Sequence, residues 1–172
     1  IGDRNVIREY VTVNAATFDG DATKIGSDCL IMAYAHVAHD CIVGNGVIMA
    51  NAATLAGHIV VEDFAGIGGL VGVHQFVRIG TMSYIGGCAK VVQDVPPFMM
   101  ADGNPLSVFG LNSVGLKRRG IDENAQSLLK RAFRIIYKED LTAKQALEKI
   151  EAELEMVPEL RHLVEFVRSS QR

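Results

Sequence analysis

Residues 25–60 read IGSDCL IMAYAH VAHDCI VGNGVI MANAAT LAGHIV, six blocks of six that each open on an aliphatic residue. The same step runs outward in both directions. Ile1, Ile7 and Val13 precede the block, and Val61, Ile67, Val73, Ile79, Ile85 and Val91 follow it. Only Asp19 breaks the series. The residue after each aliphatic is often Gly or Ala, as at Gly26, Gly44, Ala56, Gly68 and Gly80. Four places on sits a mostly small or β-branched residue, as at Cys29, Ala35, Cys41, Val47, Ala53, Ala65 and Ala89.

A period of six suits neither an α-helix nor a flat amphipathic strand. It suits a coil of three short flat faces with a turn between each. One large aliphatic per face points inward, and the small residue fits near the corner. Gly or Ala in the next slot tolerates the turn backbone. Stacked coils pair each strand with the one above and bury a continuous core. The pattern is that of a left-handed parallel β-helix of hexapeptide repeats, so the fold class is mainly β with an appended helical part.

Eighteen residues make one coil, and Ile25-Gly26, Val43-Gly44 and Ile79-Gly80 fall in one column. Ile1-Gly2 lies 24 before Ile25, six too many. A projecting loop is therefore expected at 14–23, with Asp19, Gly20 and Asp21 at its tip. Loops on a rigid scaffold often carry binding function. Pro96-Pro97 cannot continue strand pairing, which ends the β-helix domain at 1–97. A linker at 98–112 and a helical domain at 113–172 follow. Within that domain Asp122 is an N-cap for a helix to about 137, and Thr142 starts another. Pro158 opens a last helix to about 169. Leu128, Leu129, Ala132, Ile135 and Ile136 form the apolar face of the helix that Asp122 caps.

The bulk numbers exclude several classes. Apolar residues make up 49% of the 172, enough for a core, and the net charge of −3 speaks against a nucleic-acid binder. No run of about 18 apolar residues is present, so no membrane span is expected. Cys29, Cys41 and Cys88 are too few and too spread for a disulfide framework or a CxxC metal site. They read as small, buried, reduced side chains, and with no secretory leader in view the expected location is cytoplasmic.

Four of the five histidines lie in the coils: His36, His39, His58 and His74. On an 18-residue coil His39 stacks under Gly57 and then Gln75. His58 and His74 sit beside those two, and Asp40 stacks under His58. Rungs about 4.8 Å apart bring the imidazoles near one another. Gly57 leaves a space above His39, and Gly87 lies outside the usual glycine slot, where it leaves room for a ligand. Three chemistries suit such a cluster. One is a general base acting on a hydroxyl, with Asp40 fixing the tautomer. The second is a zinc site with histidine ligands. The third is a set of polar positions on an exposed face. Lys117-Arg118-Arg119 is a compact basic run in an acidic chain, suited to phosphate contacts or simply a solvated helix end.

Five segments, quoted by their ends, carry a resemblance: Ala35 to Cys41, Asn51 to His58, Val73-His74-Gln75-Phe76, Gln93 to Pro97 and Gly115 to Gly120. Together they closely resemble the acyl-carrier-protein–UDP-N-acetylglucosamine O-acyltransferases that begin lipid A synthesis. The resemblance implies a homotrimer with active sites in clefts between subunits. It implies transfer of a 3-hydroxyacyl chain from an acyl carrier protein phosphopantetheine thioester to the glucosamine 3-hydroxyl, with no cofactor and no metal. His39 matches the family's general base, with Asp40 beside it. His36, His58 and His74 match its pocket histidines. Gln75, Asn112, Arg118 and Arg119 match positions that contact the sugar nucleotide or the carrier, and Gly87 matches a position associated with acyl-chain length. The family also has further N-terminal coils, and Val114 and Pro105 stand where polar residues are usual in it. Two other readings use the same fold: a zinc enzyme like the γ-class carbonic anhydrases, and a non-catalytic trimeric scaffold.

Overall fold

The computed structural model describes residues 1–170. In chain order the short strands are β1 (Val6–Ile7), β2 (Thr12–Val13), β3 (Lys24–Ile25), β4 (Leu30–Ile31), β5 (His36–Val37), β6 (Ile42–Val43) and β7 (Ile48–Met49). Then come β8 (Thr54–Leu55), β9 (Val60–Val61), β10 (Gly66–Ile67), β11 (Gly72–Val73), β12 (Arg78–Ile79), β13 (Tyr84–Ile85) and β14 (Lys90–Val91). Every third strand joins one sheet, so the chain winds a three-faced left-handed parallel β-helix. The first face begins β1-β4-β7-β10-β13, the second is β2-β5-β8-β11-β14 and the third β3-β6-β9-β12.

The hexad register explains the interior. Ile31, Val37, Met49, Leu55, Ile79, Ile85 and Val91 are fully buried, and the small corner residues Cys29, Ala35, Cys41, Ala53 and Ala65 fill the space between them. Each buried aliphatic contributes about 1.5–3 kcal/mol relative to exposure. The turn itself differs from expectation. The left-handed backbone falls three places after each aliphatic, at Asp28, Tyr34, Asp40, Ala52, His58, Phe64, Leu70, Phe76 and Cys88, with φ between 56° and 65°. The glycine slot is set by close approach instead: a Cβ on Gly26 would meet the Gly44 carbonyl oxygen at 2.6 Å. Cys29 and Cys41 are buried, whereas Cys88 is exposed, because it occupies one of these outward corners.

Strand pairing is offset by 24 residues in the first coil, as Thr12↔His36, and by 18 from Lys24↔Ile42 onward. The six extra residues lie between β2 and β3 and leave the prism at its corner between the second and third faces.

The segment 98–112, expected as a linker, is a hairpin. β15 (Met99–Asp102) pairs parallel with β13, and β16 (Ser107–Leu111) pairs antiparallel with β15. Val95 still bridges Ile79 beside the prolines. The prolines interrupt pairing only where they stand, and the top edge of β13 is an open row of donors and acceptors until β15 covers it. Four helices follow: α1 (Ser113–Arg118), α2 (Glu123–Lys138), α3 (Ala143–Glu153) and α4 (Pro158–Ser169). Asn112, Asp122 and Thr142 cap the first three, and Thr142 with Gln145 forms a reciprocal capping box. Their apolar faces form a second core with Leu116, Leu129, Ile150 and Leu163 at its centre. Among the described residues no helix is long and apolar enough to cross a membrane.

Candidate functional site

The corner between the second and third faces gathers His39, Asp40 and His58. Asp40, His58 and Phe76 occupy successive left-handed positions, 18 apart, so their side chains project outward in one column. The backbone ladder fixes the stack: His58 N–H donates to the His39 carbonyl at 3.1 Å, and Phe76 N–H to that of Gly57 at 3.2 Å. His58 stacks flat on Phe76 at 4.7 Å and meets the His39 ring edge-on at 5.1 Å.

His39 Nδ1–H donates to Asp40 Oδ2 at 2.8 Å. A carboxylate only accepts, so in the neutral imidazole this contact places the proton on Nδ1 and the lone pair on Nε2. The His39 side chain is 43% exposed and that of Asp40 12%. Asp40 is held well below the usual carboxylate range, at about 2, first by the Thr17 hydroxyl and then by His39. The Thr17 hydroxyl donates to Oδ2 at 2.6 Å, and its backbone N–H reaches Oδ1 at 3.2 Å. Thr23 Oγ1 accepts from the Asp40 N–H at 2.9 Å. The excursion from the coil therefore folds back on the dyad at both ends. It also walls a cleft of about 410 Å³ with Phe18, Gly20, Lys24, Asp40, Ile42 and His58 in its lining.

The space above His39 is not empty. A Cβ on Gly57 would overlap the His39 ring, 2.6 Å from Nε2. The glycine is what lets the imidazole lie across the next coil. His39, Asp40 and His58 each offer a possible ligand atom within 4.8 Å of the others. A cation bound there would compete with the hydrogen bonds that Asp40 already accepts.

The other sequence candidates are spread around the prism. His36 lies in β5, with Nδ1 2.7 Å from Thr12 Oγ1. His74 and Gln75 are exposed two coils above the dyad, with His74 Nδ1 3.2 Å from the Gln75 carbonyl oxygen. Gly87 stands at the corner between the first and second faces, over Gly69, whose carbonyl oxygen is 3.3 Å from where its Cβ would be. Asn112 is engaged within the chain: its amide donates to the Met82 carbonyl at 2.9 Å and its oxygen caps Gly115 N–H at 3.1 Å. Arg118 is exposed in α1. Arg119 packs over the Phe64 ring at 3.8 Å, at the corner between the third and first faces. One chain thus sets its His39–Asp40 dyad and Arg119 on different edges.

Sequence reasoning missed Thr17, Thr23 and Phe76. The signal for the threonines was the break in the period, which located the excursion without saying where it lands.

Against known proteins, residues 94–172 match the family described as Udp N-acetylglucosamine O-acyltransferase, Domain 2, and residues 22–57 match the bacterial transferase hexapeptide repeats. A relative named acyl-[acyl-carrier-protein]–UDP-N-acetylglucosamine O-acyltransferase, from Thermodesulfovibrio yellowstonii, is 54% identical over the whole chain and 67% of its own length. The chain belongs to the UDP-N-acetylglucosamine O-acyltransferase family. A family member of the same name from Gloeothece citriformis is 51% identical over 99% of the chain, which spans 61% of that relative's length. Among solved O-acyltransferase structures, LpxA from Acinetobacter baumannii superposes with a TM-score of 0.94 at 41% identity, over 99% of this chain and 67% of that one. The UDP-N-acetylglucosamine acyltransferase from Campylobacter jejuni gives 0.93 at 39% identity, over the whole chain and 68% of its own.

Proposed function

We propose that this chain carries the acyl-transfer chemistry of its family. A 3-hydroxyacyl group moves from the phosphopantetheine thioester of acyl carrier protein to the 3-hydroxyl of UDP-N-acetylglucosamine, the first step of lipid A biosynthesis. The observation that carries this reading is the His39–Asp40 pair, with the proton on Nδ1 and Nε2 open. Nε2 takes the proton of the sugar hydroxyl as its oxygen attacks the thioester carbonyl. The C–O bond forms and the carbonyl becomes a tetrahedral oxyanion. Collapse breaks the C–S bond, and the imidazolium returns its proton to the departing thiolate. Asp40, ionised throughout, steadies the imidazolium between these steps. No covalent acyl-enzyme is needed.

His36, His58, His74, Gln75, Asn112, Arg118 and Arg119 are assigned to contacts with the sugar nucleotide or the carrier, and Gly87 to the room left for the acyl chain. A homotrimer accounts for their placement on different edges, because packing prisms side by side sets an edge of one subunit against a face of the next. A cytoplasmic location suits both substrates. The competing zinc reading draws on the convergence of His39, Asp40 and His58. The hydrogen bonds from Thr17 and His39 to Asp40 favour proton transfer over metal binding.

The test is acyl transfer from hydroxyacyl-carrier protein to UDP-N-acetylglucosamine, with and without a chelator, for wild type and His39→Ala. Chelator-insensitive transfer that falls more than about 10-fold in the variant supports general-base chemistry. Stoichiometric zinc without transfer overturns it.

A further inference from the structure

The Asp40 carboxylate has two imidazoles within reach. Oδ2 is 2.8 Å from His39 Nδ1 and 3.7 Å from His58 Nε2. Something must hold it on the first. Thr17 reaches the carboxylate with three contacts: the hydroxyl to Oδ2 at 2.6 Å, and the backbone N–H to Oδ1 at 3.2 Å and Oδ2 at 3.3 Å. The same Thr17 Oγ1 lies 3.0 Å from His39 Nδ1. Its hydroxyl proton is committed to Asp40, so the oxygen faces the His39 Nδ1–H as a second acceptor. Thr17 is an exposed residue on the six-residue excursion, not a member of the hexad core. Its only described polar partners are the two halves of the dyad.

We propose that Thr17 is a positioning residue: it fixes the Asp40 carboxylate on His39 rather than His58, and so keeps the His39 Nε2 lone pair open for the substrate hydroxyl. The assignment rests on the general-base reading above and adds a control point to it. Whatever displaces the excursion from the prism also releases the base from its tautomer.

Without the hydroxyl the carboxylate is free to turn to His58, and His39 loses the anion that favours its imidazolium. Thr17→Val keeps the shape of the side chain and removes the hydroxyl. In the full chain, kcat of Thr17→Val falls about 10-fold, part of what general-base catalysis supplies. KM for UDP-N-acetylglucosamine stays within about 3-fold, and the acid limb of the kcat profile moves to lower pH. Thr17→Ser, which restores the hydroxyl, returns both kcat and the limb toward wild type. Wild-type kcat in Thr17→Val overturns the proposal, and so does a loss of kcat with the acid limb unmoved, since that is the mark of a purely structural role. His39→Ala, assayed alongside, separates the two ideas. If His39→Ala is inactive and Thr17→Val behaves as wild type, only the positioning role falls. If His39→Ala keeps full activity, the general-base reading fails first and takes this one with it.

Discussion

Gly57 sits one coil above His39, and any side chain there would collide with the imidazole, its Cβ 2.6 Å from Nε2. The backbone of Gly57 is not left-handed, so alanine suffers no conformational penalty at this position. The conflict is with the ring alone. Gly57→Ala is expected to displace His39 from Asp40 and to lower kcat by at least about 10-fold. The β-helix remains folded, with an unchanged far-ultraviolet circular dichroism spectrum. Full activity in this variant would mean that the imidazole has another productive position.

Asp40 gives a second test, through acid stability. Its carboxyl is depressed to about 2 by Thr17 and His39. Such a group stabilises the fold above its unfolded value of about 3.9, and the contribution is lost as pH falls through the folded value. Asp40→Asn therefore removes part of the acid sensitivity between about pH 4 and about pH 2, seen as a flatter dependence of Tm on pH. The same variant loses activity, because an amide at this position no longer specifies the Nδ1–H tautomer.

The seam between the β-helix and α4 carries the opposite dependence. His162 Nε2 lies 2.7 Å from Glu62 Oε2, and the carboxylate, ahead of any other group, raises the His162 pKa. Its further neighbours are Glu165, which adds to the shift, and Arg78, which opposes it. Stability from this pair is complete below the unfolded histidine value of about 6.5 and is lost as pH rises through the raised folded value. The side chains are 40% and 22% exposed, so solvent limits the gain to less than about 1 kcal/mol. Glu62→Gln is expected to lower Tm by about 2–4 °C at most on the acid side. The difference should vanish on the alkaline side; an equal loss at both ends would assign Glu62 a role independent of charge. Its hydrogen bond from Thr81 N–H, at 2.8 Å, is the obvious alternative.

Ser83 is 1% exposed in the core, and its hydroxyl has no hydrogen-bond partner among the described residues. It occupies the same slot as Cys29, Val47 and Ala65, one per coil beside the first face. Removing an unpaired buried hydroxyl relieves its desolvation. Ser83→Ala is expected to leave stability unchanged or to raise it by up to about 1 kcal/mol in chemical denaturation. A clear loss would reveal a bound water serving the hydroxyl.

The fold was legible because the hexad places one chemical requirement on every sixth residue, and Ile25 through Val91 meet it without interruption. The helix starts were legible for a local reason: Asp122 and Thr142 cap through their own side chains. The hairpin at 98–112 was not, because β15 is seated on the β-helix by pairing with β13, a partner that no local pattern in Met99 to Asp102 announces. Within the site, the 18-residue coil was enough to bring His39, Asp40 and His58 together. It gave no account of Gly57 as the housing of a ring, nor of His162 as a partner for Glu62 a hundred residues away.

By itself, then, the sequence determined the repeat, the convergence of His39, Asp40 and His58, and the residue at which the period breaks. Each of these follows from periodicity, which is a property of one chain read in order. The tertiary structure decided where the excursion lands, which imidazole Asp40 holds, and which edge carries Arg119. Those depend on hydrogen bonds between groups that the winding brings into contact, and a threonine in an irregular loop bears no mark of its partner until the chain has folded.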